Sequence, residues 1–206
     1  MAAAQDVYYL EDIGSDHVID ASVFVPFAVL RLRADGDSSE AALRVQLRDH
    51  LEFDDQVRTL RIIWSGDSIP TDPLAVPDRA VTEWAACGVA CVLVPVYTHL
   101  RILGVAAYGD RFDYWLNDGR QDYGLEISGT VADELEPRHR VKVNQLLANP
   151  YGIDAYVAVV AFGARTAIFS FPRFQEAPRG AKRHHAGLFV RGWTPRSRRT
   201  RRGSRT

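Results

Sequence analysis

The sequence predicts an α/β fold, a mixed central sheet flanked by helices. Three features carry this expectation. Residues 111–130 read as a β-hairpin. Residues 80–94 and 137–148 read as helices before and after it. Residues 155–162 and 166–171 read as apolar strands that follow. From residue 78 onward the order is helix, strand, strand, strand, helix, strand, with one more strand to close.

Ahead of this core, residues 1–75 predict an N-terminal β-α-β lobe. In residues 23–33, alternation puts Val23, Val25, Phe27 and Val29 on one face, which reads as a strand. Ser38-Ser39-Glu40 reads as a helix start, with Ala41, Leu43, Val45 and Leu47 mixed among Arg44, Arg48 and Asp49. Residues 57–64 read as a second strand. Residues 65–77 hold three prolines and Gly66 and mark a linker. The lobe carries no recognisable chemistry; it extends the sheet, binds a partner or forms a homodimer surface.

Pro77-Asp78-Arg79 opens the first core helix, which bears Glu83 in its first turns. Its apolar run, residues 85–97, contains Pro95 and falls short of the ~18 uncharged residues of a membrane span. A core helix accounts for it better. Residues 101–108 read as a strand.

The hairpin carries the most information. Asp118-Gly119 suits a two-residue turn whose central residues need positive φ. That register opposes Tyr114 to Tyr123, Asp113 to Gly124 and Phe112 to Leu125. One face then collects Phe112, Tyr114, Leu116, Tyr123, Leu125 and Ile127. The other collects Asp113, Trp115, Asp122, Gly124, Glu126 and Ser128. Asp113 and Glu126 become diagonal neighbours, about 7–8 Å apart at Cα. Gly124 leaves space beside Asp113. Two carboxylates so close need water or a cation between them, and hard oxygen ligands suit Mg²⁺ or Mn²⁺. The alternative is a face that is simply polar and exposed to solvent.

Residues 137–148 follow as a helix with Pro137 in its first turn. Residues 155–162 and 166–171 are strands joined by a turn at Gly163.

This order, with acids at those places, resembles the PD-(D/E)xK nuclease superfamily over residues 78–171. Asp113 matches the acid that opens the second core strand. Glu126-Ile127-Ser128 matches the acid-x-Lys signature, with Ser128 where the lysine is expected. Glu83 matches the helical glutamate that helps to hold the metal. The resemblance implies a restriction-endonuclease-like α-β-β-β-α-β core over residues 76–178. It also implies Asp113, Glu126, Ser128 and Lys142 as catalytic residues, with Glu83, Asp113 and Glu126 on Mg²⁺ or Mn²⁺. Some members carry the lysine on the following helix, where Lys142 lies. Lys142 and Lys182 are the only lysines beside 23 arginines. Glu83 also suits a helix N-terminus, where the dipole favours an acid.

The net charge of −1 hides a split. Residues 179–206 hold ten Arg or Lys and no acid, against 15 basic and 26 acidic residues in the first 178. This tail is expected to be disordered alone. Its Arg196, Arg198, Arg199, Arg201 and Arg202 are candidate nucleic-acid contacts through salt-sensitive attraction to phosphate. Cys87 and Cys91, four apart on one helix face, read as small buried thiols. A metal clip joining them to His184 and His185 lacks a second Cys pair. No nucleophilic triad, Gly-rich phosphate loop or dinucleotide fingerprint is present, and the N-terminus lacks signal-peptide character, so the cytoplasm is expected. Two functions remain open: a metal-dependent nuclease of a bacterial defence or DNA-processing system, or an inactive nuclease-like scaffold that binds protein or nucleic acid.

Overall fold

The strand Ala155–Ala161 is buried along its whole length, so it needs cover on both faces. The computed structural model, which describes residues 5–33, 38–49, 54–68 and 75–172, supplies that cover with helices on either side. In chain order the elements are β1 (Gln5–Tyr9), α1 (Ile13–Asp16), α2 (Val25–Leu32), β2 (Glu40–Arg48) and β3 (Gln56–Ile63). Then come α3 (Asp78–Tyr97), β4 (Arg101–Val105), β5 (Tyr114–Asn117), β6 (Asp122–Thr130), α4 (Leu135–Leu147), β7 (Ala155–Ala161) and β8 (Thr166–Ser170).

The eight strands form one mixed sheet in the order β1-β3-β2-β8-β7-β6-β5-β4. Strands β4, β5 and β6 are an antiparallel meander. Helix α4 then crosses over, and β7 returns parallel to β6. The first three strands join the same sheet because β2 runs parallel to β8.

Alternation along β7 divides the core. Tyr156, Ala158 and Val160 face a large cluster with α2 and α3, including Ala28, Val29, Ala86, Val89 and Leu93. Ala155, Val157, Val159 and Ala161 face a smaller cluster with Leu135 and Leu146 of α4. α3 is long and apolar enough to cross a membrane, with a mean hydropathy of 1.6, but 67% of that window is buried inside the fold. It is built as a core helix.

Two N-terminal expectations are overturned. Residues expected as a strand from 23 to 33 form a 3-10 turn and then α2. Val25 and Val29 satisfy both periods. The deciding pattern is burial at Val25, Ala28, Val29 and Leu32, together with Pro26 in the first turn. Residues expected as a helix from 38 to 51 form β2, with Ala41, Leu43, Val45 and Leu47 buried in strict alternation. Glu40, Arg44, Gln46 and Arg48 alternate with them on the more exposed face of the strand. β1 was not expected at all. The N-terminal order is therefore β-α-α-β-β among the described residues, not β-α-β.

Close packing of α3 on β6 depends on Gly129, where a Cβ would meet the Thr82 carbonyl oxygen at 2.5 Å. A backbone carbonyl cannot swing aside, so Gly129→Ala should cost about 1–3 kcal/mol in urea unfolding. Gly104→Ala, which meets nothing within 4 Å, should stay within about 0.5 kcal/mol.

His17 ties the N-terminal segment to the core. Its Nδ1 accepts from the Ile102 N–H at 3.2 Å, so Nε2 carries the proton and donates to the Cys91 carbonyl at 2.8 Å. Burial lowers its pKa below the free value of 6.5. As the pH falls below that value, the unfolded chain takes up a proton that folded His17 refuses, and stability is lost. The stability advantage of wild type over His17→Asn should therefore shrink between pH 7.5 and 5.5. A constant difference would exclude a titrating His17.

Candidate functional site

Strand β6 faces α3 with Tyr123, Leu125 and Ile127, and faces α4 with the residues between them. Glu126 is one of these and is 0% exposed. The alternative, a face that is simply polar and open to solvent, does not hold at Glu126. Helix α4 brings Arg138, Lys142 and Gln145 to its inner side at i, i+4 and i+7, between the buried Leu135 and Leu146. Lys142 Nζ donates to Glu126 Oε1 in a close ion pair and lies 3.5 Å from Gln145 Oε1. Glu126 Oε2 is buried with no hydrogen-bond partner. Burial, followed by the charge of Asp113, raises the Glu126 pKa to about 7 against the pull of Lys142.

Asp113 precedes β5 by one residue. Its N–H donates to the Leu125 carbonyl at 2.9 Å, and its Oδ2 accepts from the Ile127 N–H at 2.7 Å. The carboxylate thus takes the place of a strand partner at the ragged end of β5. Burial raises its pKa, Glu83 adds to the rise, and the Ile127 N–H and Lys142 oppose it.

The hairpin differs from the expected register by two residues. Asn117 pairs with Asp122, Leu116 with Tyr123, Trp115 with Gly124 and Tyr114 with Leu125. Asp118 does not sit in a two-residue turn. Its carboxylate accepts from the Arg120 and Gln121 N–H groups, which builds a longer loop. A shift of two leaves the faces of the paired residues unchanged. Phe112 does change face. Arg111 has φ +70°, the chain turns, and Phe112 joins the α4-side cluster against Trp115 and Tyr151. The gap expected beside Gly124 is filled by this ring, which a Cβ there would meet at 2.9 Å.

The remaining residues line a cleft of about 790 Å³. Glu83, Asp113, Ser128 and Lys142 all contribute to it, with Glu126 buried beneath. Ser128 Oγ accepts from Arg138 Nη1 at 3.4 Å. Glu83 is held by Arg79 at 2.9 Å, four residues before it on α3. Sequence reasoning missed Arg79 and Arg138, and also the opposite wall of Phe24, Phe27, Trp84 and Tyr114. The i, i+4, i+7 stripe on α4 was the signal that would have found Arg138 beside Lys142.

Asp113 and Glu126 are neighbouring carboxylates, and the orphaned buried oxygen of Glu126 is a hard donor of the kind that Mg²⁺ or Mn²⁺ takes. Among the described residues no group of three or more His, Cys, Asp or Glu is arranged to hold a metal, so Glu83 does not complete the set. Cys91 is buried and Cys87 half-buried. Burial pushes the Cys87 thiol up to about 12, as suits an inert packing group. Arg196, Arg198, Arg199, Arg201, Arg202, His184 and His185 lie outside the described residues. Comparison with family models, with curated proteins and with solved structures finds no match.

A raised Glu126 pKa has a thermodynamic sign. Between the free value of 4.5 and about 7, folded Glu126 holds a proton that the unfolded chain has lost, so its contribution to stability falls as pH rises. Glu126→Gln removes this loss. The variant should gain about 1–3 kcal/mol relative to wild type in urea unfolding between pH 5 and pH 8. A difference that is flat with pH would show Glu126 ionised throughout.

Proposed function

We propose that this chain cleaves phosphodiester bonds of nucleic acid in a metal-dependent reaction, on a restriction-endonuclease-like core formed by α3, β4, β5, β6, α4 and β7. One observation carries the reading. Lys142 reaches from α4 to Glu126 and shares the cleft with Asp113 and Ser128, which supports it as the cation that Ser128 does not supply. The order of those six elements supports it as well.

Asp113 and Glu126 would hold Mg²⁺ or Mn²⁺, which when bound lowers the pKa of water and neutralises phosphate. Lys142 Nζ lies on the cleft wall, where it orients an attacking water and offsets charge building on the phosphate oxygens. Arg138 stands beside it and holds Ser128, whose hydroxyl orients water without supplying charge. Glu83, paired with Arg79, shapes the rim of the cleft.

A second reading has its own support. Lys142 already engages one oxygen of Glu126, and Arg79 already engages Glu83. In that reading the ion pairs are structural, and the cleft belongs to an inactive nuclease-like scaffold that binds protein or nucleic acid.

Plasmid DNA and short RNA incubated with the full chain in Mg²⁺ or Mn²⁺ separate the two. Cleavage should vanish in Asp113→Ala and drop by about 100-fold or more in Lys142→Ala. Equal cleavage by wild type and Asp113→Ala would assign the activity to a contaminant and leave the scaffold reading.

A further inference from the structure

The cleft has two unlike walls. On one side stand Lys142 and Arg138, two cations on the inner stripe of α4. On the other, Phe27 meets Trp84 edge-on, with centroids 4.7 Å apart at 79°. That packing braces Trp84 while leaving it 40% exposed on the cleft. A braced indole on a cleft wall is a rigid platform that a ligand ring can cover. A base is such a cover, because every base presents a π-face to an aromatic platform.

We infer that the cleft takes one unpaired nucleotide of a single-stranded nucleic acid, its base stacked on Trp84 and its adjoining phosphate against Lys142 and Arg138. This rests on the nucleolytic reading of the same site. Size supports it, since about 790 Å³ is the scale of a small-molecule site rather than a duplex-binding surface. Charge supports it too. The first 178 residues carry 26 acids against 15 bases, so a duplex with its dense phosphates meets a repulsive body. A single strand needs only the local cations and the aromatic wall.

The test uses the full chain in EDTA and a ten-nucleotide single strand, DNA in one arm and RNA in the other. Each strand carries one photoreactive thiopyrimidine, and crosslinks are mapped by peptide mass spectrometry. Crosslinks should fall on the peptides holding Trp84 or Phe27. Unlabelled single strand should compete, and a blunt duplex of the same sequence should compete at least about tenfold less well. Trp84→Ala should cut the yield about tenfold, and Trp84→Phe should restore most of it. Crosslinks confined to residues 179–206, or unchanged by Trp84→Ala, would overturn the inference. Metal-dependent cleavage that needs Asp113 but ignores Trp84 would overturn this inference alone. Trp84-dependent crosslinking in a protein that cleaves nothing would sink the nucleolytic reading alone.

Discussion

The ion pair between Glu126 and Lys142 sets the terms for everything around it. A carboxylate with no exposure, placed among Ala155, Val157, Leu135 and Leu146, is costly unless a cation meets it. Lys142 meets it, with its side chain still 23% exposed. The pair and the buried Leu135 and Leu146 turn the same side of α4 to the sheet. Once Lys142 points inward, Arg138 and Gln145 follow on the same stripe. The same burial raises both Asp113 and Glu126.

Around that pair, each polar group is held by something other than a metal. Asp113 bridges to the Ile127 N–H and keeps the broken end of the hairpin attached. Glu83 answers to Arg79 on its own helix. Asp110 accepts from the Ala107 N–H and from Tyr151, which stabilises the turn that sends Phe112 to the far face. The exceptions are one oxygen of Glu126 and the Nε of Arg138, both buried with no hydrogen-bond partner.

From α3 onward the sequence was readable because its signals agree with one another. The apolar helix, the hairpin faces and the apolar run of β7 each point to one period. Asp113 and Glu126 lie near each other despite the shifted register. Lys142, Glu83 and Ser128, which only the family resemblance singles out, pair with Glu126 or line the adjoining cleft. Before α3 the reading failed for identifiable reasons. Val25 and Val29 fit a strand and a helix equally, and Val23 and Phe27 mask the deciding Ala28 and Leu32. Residues 41–47 alternate cleanly, and Ser38-Ser39-Glu40 imitates a helix cap ahead of them. The hairpin register slipped by two because Asp118 binds the loop ahead of it. No local pattern foretold the aromatic wall, since Phe27 meets Trp84 and Phe24 meets Tyr114 only once the chain is folded.

Sheet order carries a last consequence, for how the molecule is made. Strands β1 to β3 reach the rest of the sheet through one seam, β2 beside β8. β8 is the last described strand. On a ribosome, β2 therefore waits with an open edge until residue 170 has emerged, although it was synthesised more than a hundred residues earlier. An unpaired edge of that kind is a template for association with other chains. Closing so distant a pairing is also slow. The polar outer face of β2, with Glu40, Arg44 and Arg48, lowers the hazard during that wait by placing charge where a second strand would lie down.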